Sequence, residues 1–139
     1  MARETPAHIP PGFVAVTTYL TVDDPDRLVS FAVAAFGAEE LEDQRASGPA
    51  GKTMHTAFRI EGCVIETGRA SDEWTRFPAS IHLSVRDVGA VTARALKAGA
   101  VSLHAVRDME YGERSGAVRD PSGNVWYIAT YTRRPIKKR

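Results

Sequence analysis

The stretch YGERSGAVRDPSGNVWYIAT, residues 111–130, reads as a β-hairpin. Asp120, Pro121, Ser122 and Gly123 are turn residues. Proline presets φ at the second turn position, and glycine tolerates a positive φ. Ala117-Val118-Arg119 enters the turn and Val125-Trp126-Tyr127-Ile128 leaves it, and both flanks are rich in β-branched or aromatic residues. A weaker copy lies upstream. There Ala57-Phe58-Arg59-Ile60 enters, Glu61-Gly62 turns and Cys63-Val64-Ile65-Glu66 leaves. Glu66 stands four residues after Gly62, as Tyr127 stands four after Gly123. The spacing predicts a chain built from two copies of one unit.

The segments before each hairpin repeat as well. Ile81-His82-Leu83-Ser84-Val85 matches Thr18-Tyr19-Leu20-Thr21-Val22 position by position. The first strand is expected from Phe13 to Val22, with Val14, Val16, Leu20 and Val22 on one face and Ala15, Thr17, Tyr19 and Thr21 on the other. Asp24 and Pro25 open a helix with an apolar stripe of Leu28, Phe31, Ala32, Ala35 and Phe36, and Gly37 closes it. Asp87 opens the second, with Val88, Val91, Ala95 and Leu96 inward and Gly99 at its end. Short strands are expected over Ala38–Gln44 and Val101–Val106. Each copy thus reads strand, helix, strand, strand, strand. The predicted organisation is a flexible arm (1–12), a first βαβββ module (13–68), a linker (69–79), a second module (80–132) and a basic tail (133–139), in one compact domain. The linker carries Trp74 and Phe77, which points to a lid or to pinning against the body or a partner subunit.

Composition bounds the function. With 139 residues, 43% of them hydrophobic and 25% charged, the chain has ordinary globular values. A net charge of +1 argues against a nucleic-acid surface. No apolar run approaches the ~20 residues of a membrane span, and the first residues lack the apolar core of a signal peptide, so a cytoplasmic protein is the expectation. Cys63 is the one cysteine; it has no redox partner and is expected as a small buried hydrophobe on the helix-facing side.

A tandem βαβββ repeat of this length resembles the vicinal oxygen chelate superfamily, which includes glyoxalase I, bleomycin-resistance proteins, fosfomycin-resistance enzymes and extradiol dioxygenases. The D-P-S-G-N turn at Asp120–Asn124 is similar to its commonest local signature. Tyr111-Gly112-Glu113-Arg114 and Trp126-Tyr127-Ile128-Ala129-Thr130 resemble the PhnB-like, glyoxalase-like branch. The resemblance implies an α+β fold in which the modules form an open eight-stranded cup with the helices outside. It also implies that metal-dependent relatives take one ligand from each of four cup strands. Those positions here are Thr17, Glu66, Ser80 and Tyr127, of which Glu66 alone is a good ligand. No metal cofactor is therefore expected. The alternative is a rearranged site of His55, Glu66 and His82 holding a divalent ion such as zinc or nickel.

The leading expectation is a small organic ligand bound in the cup. Tyr19, Trp74, Tyr111 and Tyr127 would stack on it, and Thr17, His55, Ser80 and His82 would line the polar part. By the resemblance Tyr111 and Arg114 sit at the rim, where Arg114 either clamps an anion or pairs with a neighbouring acid. Glu66 is the candidate catalytic base. The competing readings are a metal-dependent lyase, isomerase or transferase and an interaction module with a vestigial cup. A homodimer is expected, since small proteins of this resemblance pair and the linker aromatics need a dry contact.

Overall fold

Asp24 and Asp87 start the two helices in the same way. Each holds an extended backbone, and each side chain accepts a hydrogen bond of 3.1 Å from a first-turn amide, Asp26 N and Ala90 N respectively. The helices run Pro25–Phe36 (α1) and Val88–Lys97 (α2). Gly37 ends the first in the left-handed conformation, φ 67°, and its amide bonds back into the last turn. Leu28, Phe31, Ala32 and Ala35 are buried along α1, as the stripe predicts. In α2 the buried stripe is Val88, Val91, Thr92 and Ala95, while Leu96 in the last turn is exposed rather than inward.

The computed structural model describes residues 6–132, so the basic tail lies outside the described residues. The strands are β1 (Thr18–Val22), β2 (Glu39–Glu40), β3 (Ala46–Ser47), β4 (Thr53–Ile60), β5 (Cys63–Arg69), β6 (Ser80–Ser84), β7 (Val101–Met109), β8 (Glu113–Arg119) and β9 (Val125–Tyr131). They form two open sheets, ordered β1-β5-β4-β2, with β3 also on β4, and β6-β9-β8-β7. β1 runs parallel to β5 as β6 runs parallel to β9. The registers repeat: Tyr19 neighbours Glu66, which neighbours Ala57, and His82 neighbours Tyr127, which neighbours Ala117. Glu66 and Tyr127 therefore hold the same place in their sheets. The architecture is α+β with open, unclosed sheets, and β3 makes nine strands where eight are expected.

Alternation along each strand sends one face to the helices. Leu20, Val22, Phe58, Ile65, Val118, Trp126 and Ile128 are buried there with both helices, in one continuous core. α1 and α2 pack on each other. The ring of Phe36 lies 4.7 Å from that of Trp126 and 5.4 Å, edge-on, from Phe31. Among the described residues no helix is long and apolar enough to cross a membrane.

Three expectations are corrected. The first strand begins at Thr18 rather than Phe13, and Val14 and Val16 are 71% and 87% exposed rather than facing the helices. The parallel ladder with β5 starts at Thr18 opposite Ile65; before it the chain bends at Ala15 and Val16, and the Thr17 hydroxyl donates to the Val14 carbonyl (3.3 Å). The strand expected over Ala38–Gln44 shrinks to Glu39–Glu40. A short 3₁₀ turn, Glu42–Gln44, follows, and the chain returns to β4 at Ala46. Arg45 fixes this detour by bonding Glu40 (2.9 Å), Asp26 (2.8 Å) and the Thr53 hydroxyl. Burial works to raise the Asp26 pKa, but the bonds from Arg45 and Thr53 outweigh it and hold the carboxyl below its ordinary range. Lastly, Cys63 is exposed. It pairs with Ile60 directly after the turn in which Glu61 (φ 48°) and Gly62 (φ 82°) reverse the chain, at the end of the hairpin. The Cys63 thiol is accordingly expected to react with Ellman's reagent in the native protein at a rate close to that of the denatured chain; a native thiol protected by more than about a hundredfold contradicts the exposure.

Candidate functional site

The face of the first sheet opposite the helices carries a contiguous group of side chains. β1 presents Tyr19, β5 presents Glu66 and Gly68, and β4 presents His55 and Ala57, all adjacent in the ladder. His55 Nε2 is 3.0 Å from Glu66 Oε1, and His55 Nδ1 is 2.9 Å from the Gln44 carbonyl oxygen. Both partners are oxygens, so the ring bridges β4, β5 and the 42–47 detour, and its tautomer decides which of the two contacts carries the N–H. The detour of the chain at Arg45 thus has a consequence at the site: it sets the carbonyl that orients His55.

Tyr19 crosses this face. Its ring centroid lies 6.0 Å from that of His55, tilted by 33°. A Cβ at Gly68 would stand 2.1 Å from the Tyr19 hydroxyl oxygen, so the missing side chain is what lets the phenol lie flat on β5. Burial, and then the negative Glu66, raise the Tyr19 pKa, and the phenol keeps its proton as a hydrogen-bond donor. Gly68→Ala is expected to displace the Tyr19 ring while changing stability by less than about 1.5 kcal/mol, because the atom met is the mobile end of a side chain. Near-ultraviolet circular dichroism should report the displaced ring; a spectrum identical to that of the wild type would show that the ring has not moved.

Two cavities flank the tyrosine. The larger, about 570 Å³, is walled by Tyr19, Met54, Gly68, Arg69 and Trp74. The second, about 360 Å³, has Glu66, Thr17, Gln44 and His8 in its wall, under the 8–17 segment. The Glu66 side chain is 28% exposed. Arg69 is held by three contacts: Nε donates to the Thr53 carbonyl (2.8 Å), Nη1 to the Asp23 carbonyl (2.7 Å), and Nη2 lies 3.6 Å from Asp24. Trp74 is 68% exposed on the loop between the sheets, and Phe77 beside it makes an isolated bridge to Thr21.

The other predicted residues fall on the second sheet. His82 and Tyr127 are ladder neighbours, Ser80 is exposed two positions before His82, and Tyr127 is 43% exposed. His82 Nε2 is 3.2 Å from Glu113 Oε1, and the Tyr111 hydroxyl donates weakly to the other Glu113 oxygen (3.4 Å). Arg114 pairs with Asp108 at 3.3 Å. Thus His55 meets Glu66, but His82 meets Glu113, and the proposed His55, Glu66 and His82 set does not assemble. Among the described residues, neither of these two cavities is lined by a residue of the second sheet, and Glu66 lines the second of them. The sequence reading missed Met54, Arg69, Glu113 and the Gln44 carbonyl. Glu113 had a signal, since it lies in the quoted Tyr111-Gly112-Glu113-Arg114 run. A backbone carbonyl has none.

Residues 12–128 match the model of the glyoxalase/bleomycin resistance protein/dioxygenase superfamily. The chain belongs to this superfamily. A protein of Mycobacterium bovis, Mb0911c, is 39% identical over 125 residues, covering 82% of this chain and 81% of that one. Among solved structures, TioX from Micromonospora sp. ML1 superposes with a TM-score of 0.67 at 26% identity, covering 84% of this chain and 95% of that chain. A Bacillus cereus protein described as a PhnB protein and putative 3-demethylubiquinone-9 3-methyltransferase gives 0.66 at 16% identity, covering 84% and 99%, and shows the fold alone. The superfamily's metal positions do not fit a divalent ion in this chain. Thr17 and Glu66 share one cavity wall while Ser80 and Tyr127 lie on the other sheet. Among the described residues, no three His, Cys, Asp or Glu side chains are placed to hold a metal. A hydroxyl in place of histidine or carboxylate supplies neither charge nor basicity to replace the ion's lost water.

Proposed function

We propose that this superfamily member binds a small organic ligand on the open face of the first sheet, without a metal ion, and that it acts as a homodimer. The observation that carries the reading is the composite wall: aromatic and thioether surface from Tyr19, Trp74 and Met54 in one cavity, with Glu66 and Thr17 in the next. A concave, mainly apolar surface with a few convergent polar groups is what small-molecule sites require. Glu66 is the group placed to accept a proton from the ligand, with His55 bonded to one of its oxygens. Ser80, His82, Tyr111 and Tyr127 form the second polar and aromatic group. Val101, Leu103, Tyr127 and Tyr131 leave that sheet's surface apolar and exposed, which favours cover by a second copy.

A thermal-shift screen of small aromatic compounds tests the reading, because a ligand that binds only the native state raises its stability. Trp74→Ala and Tyr19→Ala should each abolish the shifts of the compounds that score. If no compound stabilises the protein, or both variants keep every shift, the reading fails. Light scattering should return twice the 15.1 kDa of one chain, and 15.1 kDa across a broad concentration range would defeat the dimer. Elemental analysis of chelator-free protein should find well under one metal per chain.

A further inference from the structure

The sign of the ligand's charge can be read from which side chains are already spent. This step rests on the reading of the first sheet as a ligand site. Among the described residues lining the larger cavity the one cation is Arg69, whose guanidinium already faces two carbonyl oxygens and Asp24. Arg45, behind the detour, is held by Asp26, Glu40 and Thr53. The two nitrogens of His55 face Gln44 and Glu66. An anion entering this face would have to share the Arg69 charge with Asp24 and two carbonyls through its remaining N–H groups, or rely on the exposed His8 in the wall of the second cavity.

A donor meets the opposite situation. Glu66 Oε1 is taken by His55, but Oε2 has no partner among the described residues, and the side chain lines the cavity. Tyr19, in the wall of the larger cavity, is Glu66's neighbour in the ladder. The faces of Tyr19 and Trp74 present the negative side of their ring quadrupoles, which attract a cation and repel an anion. We infer that the site takes a flat apolar molecule bearing a cationic nitrogen, an aromatic amine or guanidine, whose body lies against Tyr19, Met54 and Trp74 and whose N–H groups donate to Glu66 Oε2. A charged donor to a carboxylate is the stronger class of hydrogen bond, so the nitrogen sets the affinity and the rings set the fit.

Titration calorimetry on the full chain with three probes of one shape tests this: 2-naphthylmethylamine, 2-naphthylmethanol and 2-naphthoate. The amine is expected to bind roughly tenfold or more tighter than the alcohol, and the acid weakest of the three. In Glu66→Gln the amine should fall to the affinity of the alcohol while the alcohol is nearly unchanged. Trp74→Ala should weaken all three by a similar factor. Equal affinities, or the acid binding tightest, overturn the inference and leave the ligand site standing. Binding of none of the three, together with a blank thermal-shift screen, defeats the site itself and the inference with it. Binding of none of the three, beside a screen in which other compounds do bind, overturns the inference alone.

Discussion

Asp120→Ala is expected to lower the unfolding free energy by roughly 3–5 kcal/mol, enough to leave a chain of ordinary marginal stability largely unfolded near body temperature. The carboxylate is buried at the turn between β8 and β9 and is surrounded by donors. Oδ1 accepts from the amides of Ser122 (2.8 Å) and Asn124 (3.0 Å), and Oδ2 from the Asn124 side chain (3.3 Å) and the Trp126 indole (2.8 Å). Alanine strands these donors out of reach of water, and each buried donor left unmet costs about 1–3 kcal/mol. Asp120→Asn should lose less, because its remaining carbonyl oxygen still serves one side of the turn while its amide meets another donor, the Trp126 N–H or the Ser122 and Asn124 amides. Urea unfolding of the two variants gives the comparison. An alanine variant within about 1 kcal/mol of the wild type would show that water reaches the turn.

The consequence extends past the turn. Asn124 Oδ1 accepts from Ala79 N (3.0 Å), and Val125 N donates to the Ala79 carbonyl (2.8 Å), so the same cluster anchors the end of the loop that carries Trp74. The D-P-S-G-N run is therefore a structural hub that locks β9 to the loop.

How far the sequence could be read follows from the range of the forces involved. Turns, caps and strand alternation are local, so Asp24, Asp87, Gly37 and the Glu61–Gly62 and Asp120–Gly123 turns announce themselves. The repeat made the register of Glu66 and Tyr127 legible, because two copies must solve the same packing problem. Where the chain's path depended on a distant partner, pattern failed. Val14 and Val16 alternate like a strand, but the chain bends at Ala15 and Val16, and the ladder with β5 starts only at Thr18, opposite Ile65. Cys63 has the parity of Ile65, yet it stands first after the hairpin turn and is exposed. The site was half legible. Period two put Tyr19, His55 and Glu66 on one face, but only coordinates separate the pair His55–Glu66 from the pair His82–Glu113. Distances across sheets are set by how the sheets curve and pack, which no local pattern records.

Trp126 and Tyr127 give the sharpest test of that register. They are adjacent on β9 and point to opposite faces: Trp126 is 0% exposed among Phe36 and the core of both helices, and Tyr127 is 43% exposed beside His82. Trp126→Ala removes the largest fully buried side chain and the donor to Asp120, and the expected loss is about 3–5 kcal/mol. The cavity and the stranded carboxylate act together, so the effect should not add to that of Asp120→Ala; the double variant is expected to be less destabilised than the sum of the two. Tyr127→Ala leaves an exposed face lighter by one ring and should cost less than about 1.5 kcal/mol. Trp126→Phe keeps most of the volume but loses the indole N–H, and its deficit, set against that of Trp126→Ala, separates packing from the hydrogen bond. Chemical denaturation of the three variants decides the matter. Tyr127→Ala proving more destabilising than Trp126→Ala would mean that the strand is turned over, and that Trp126, with Ile128 and Ile81, faces the open side.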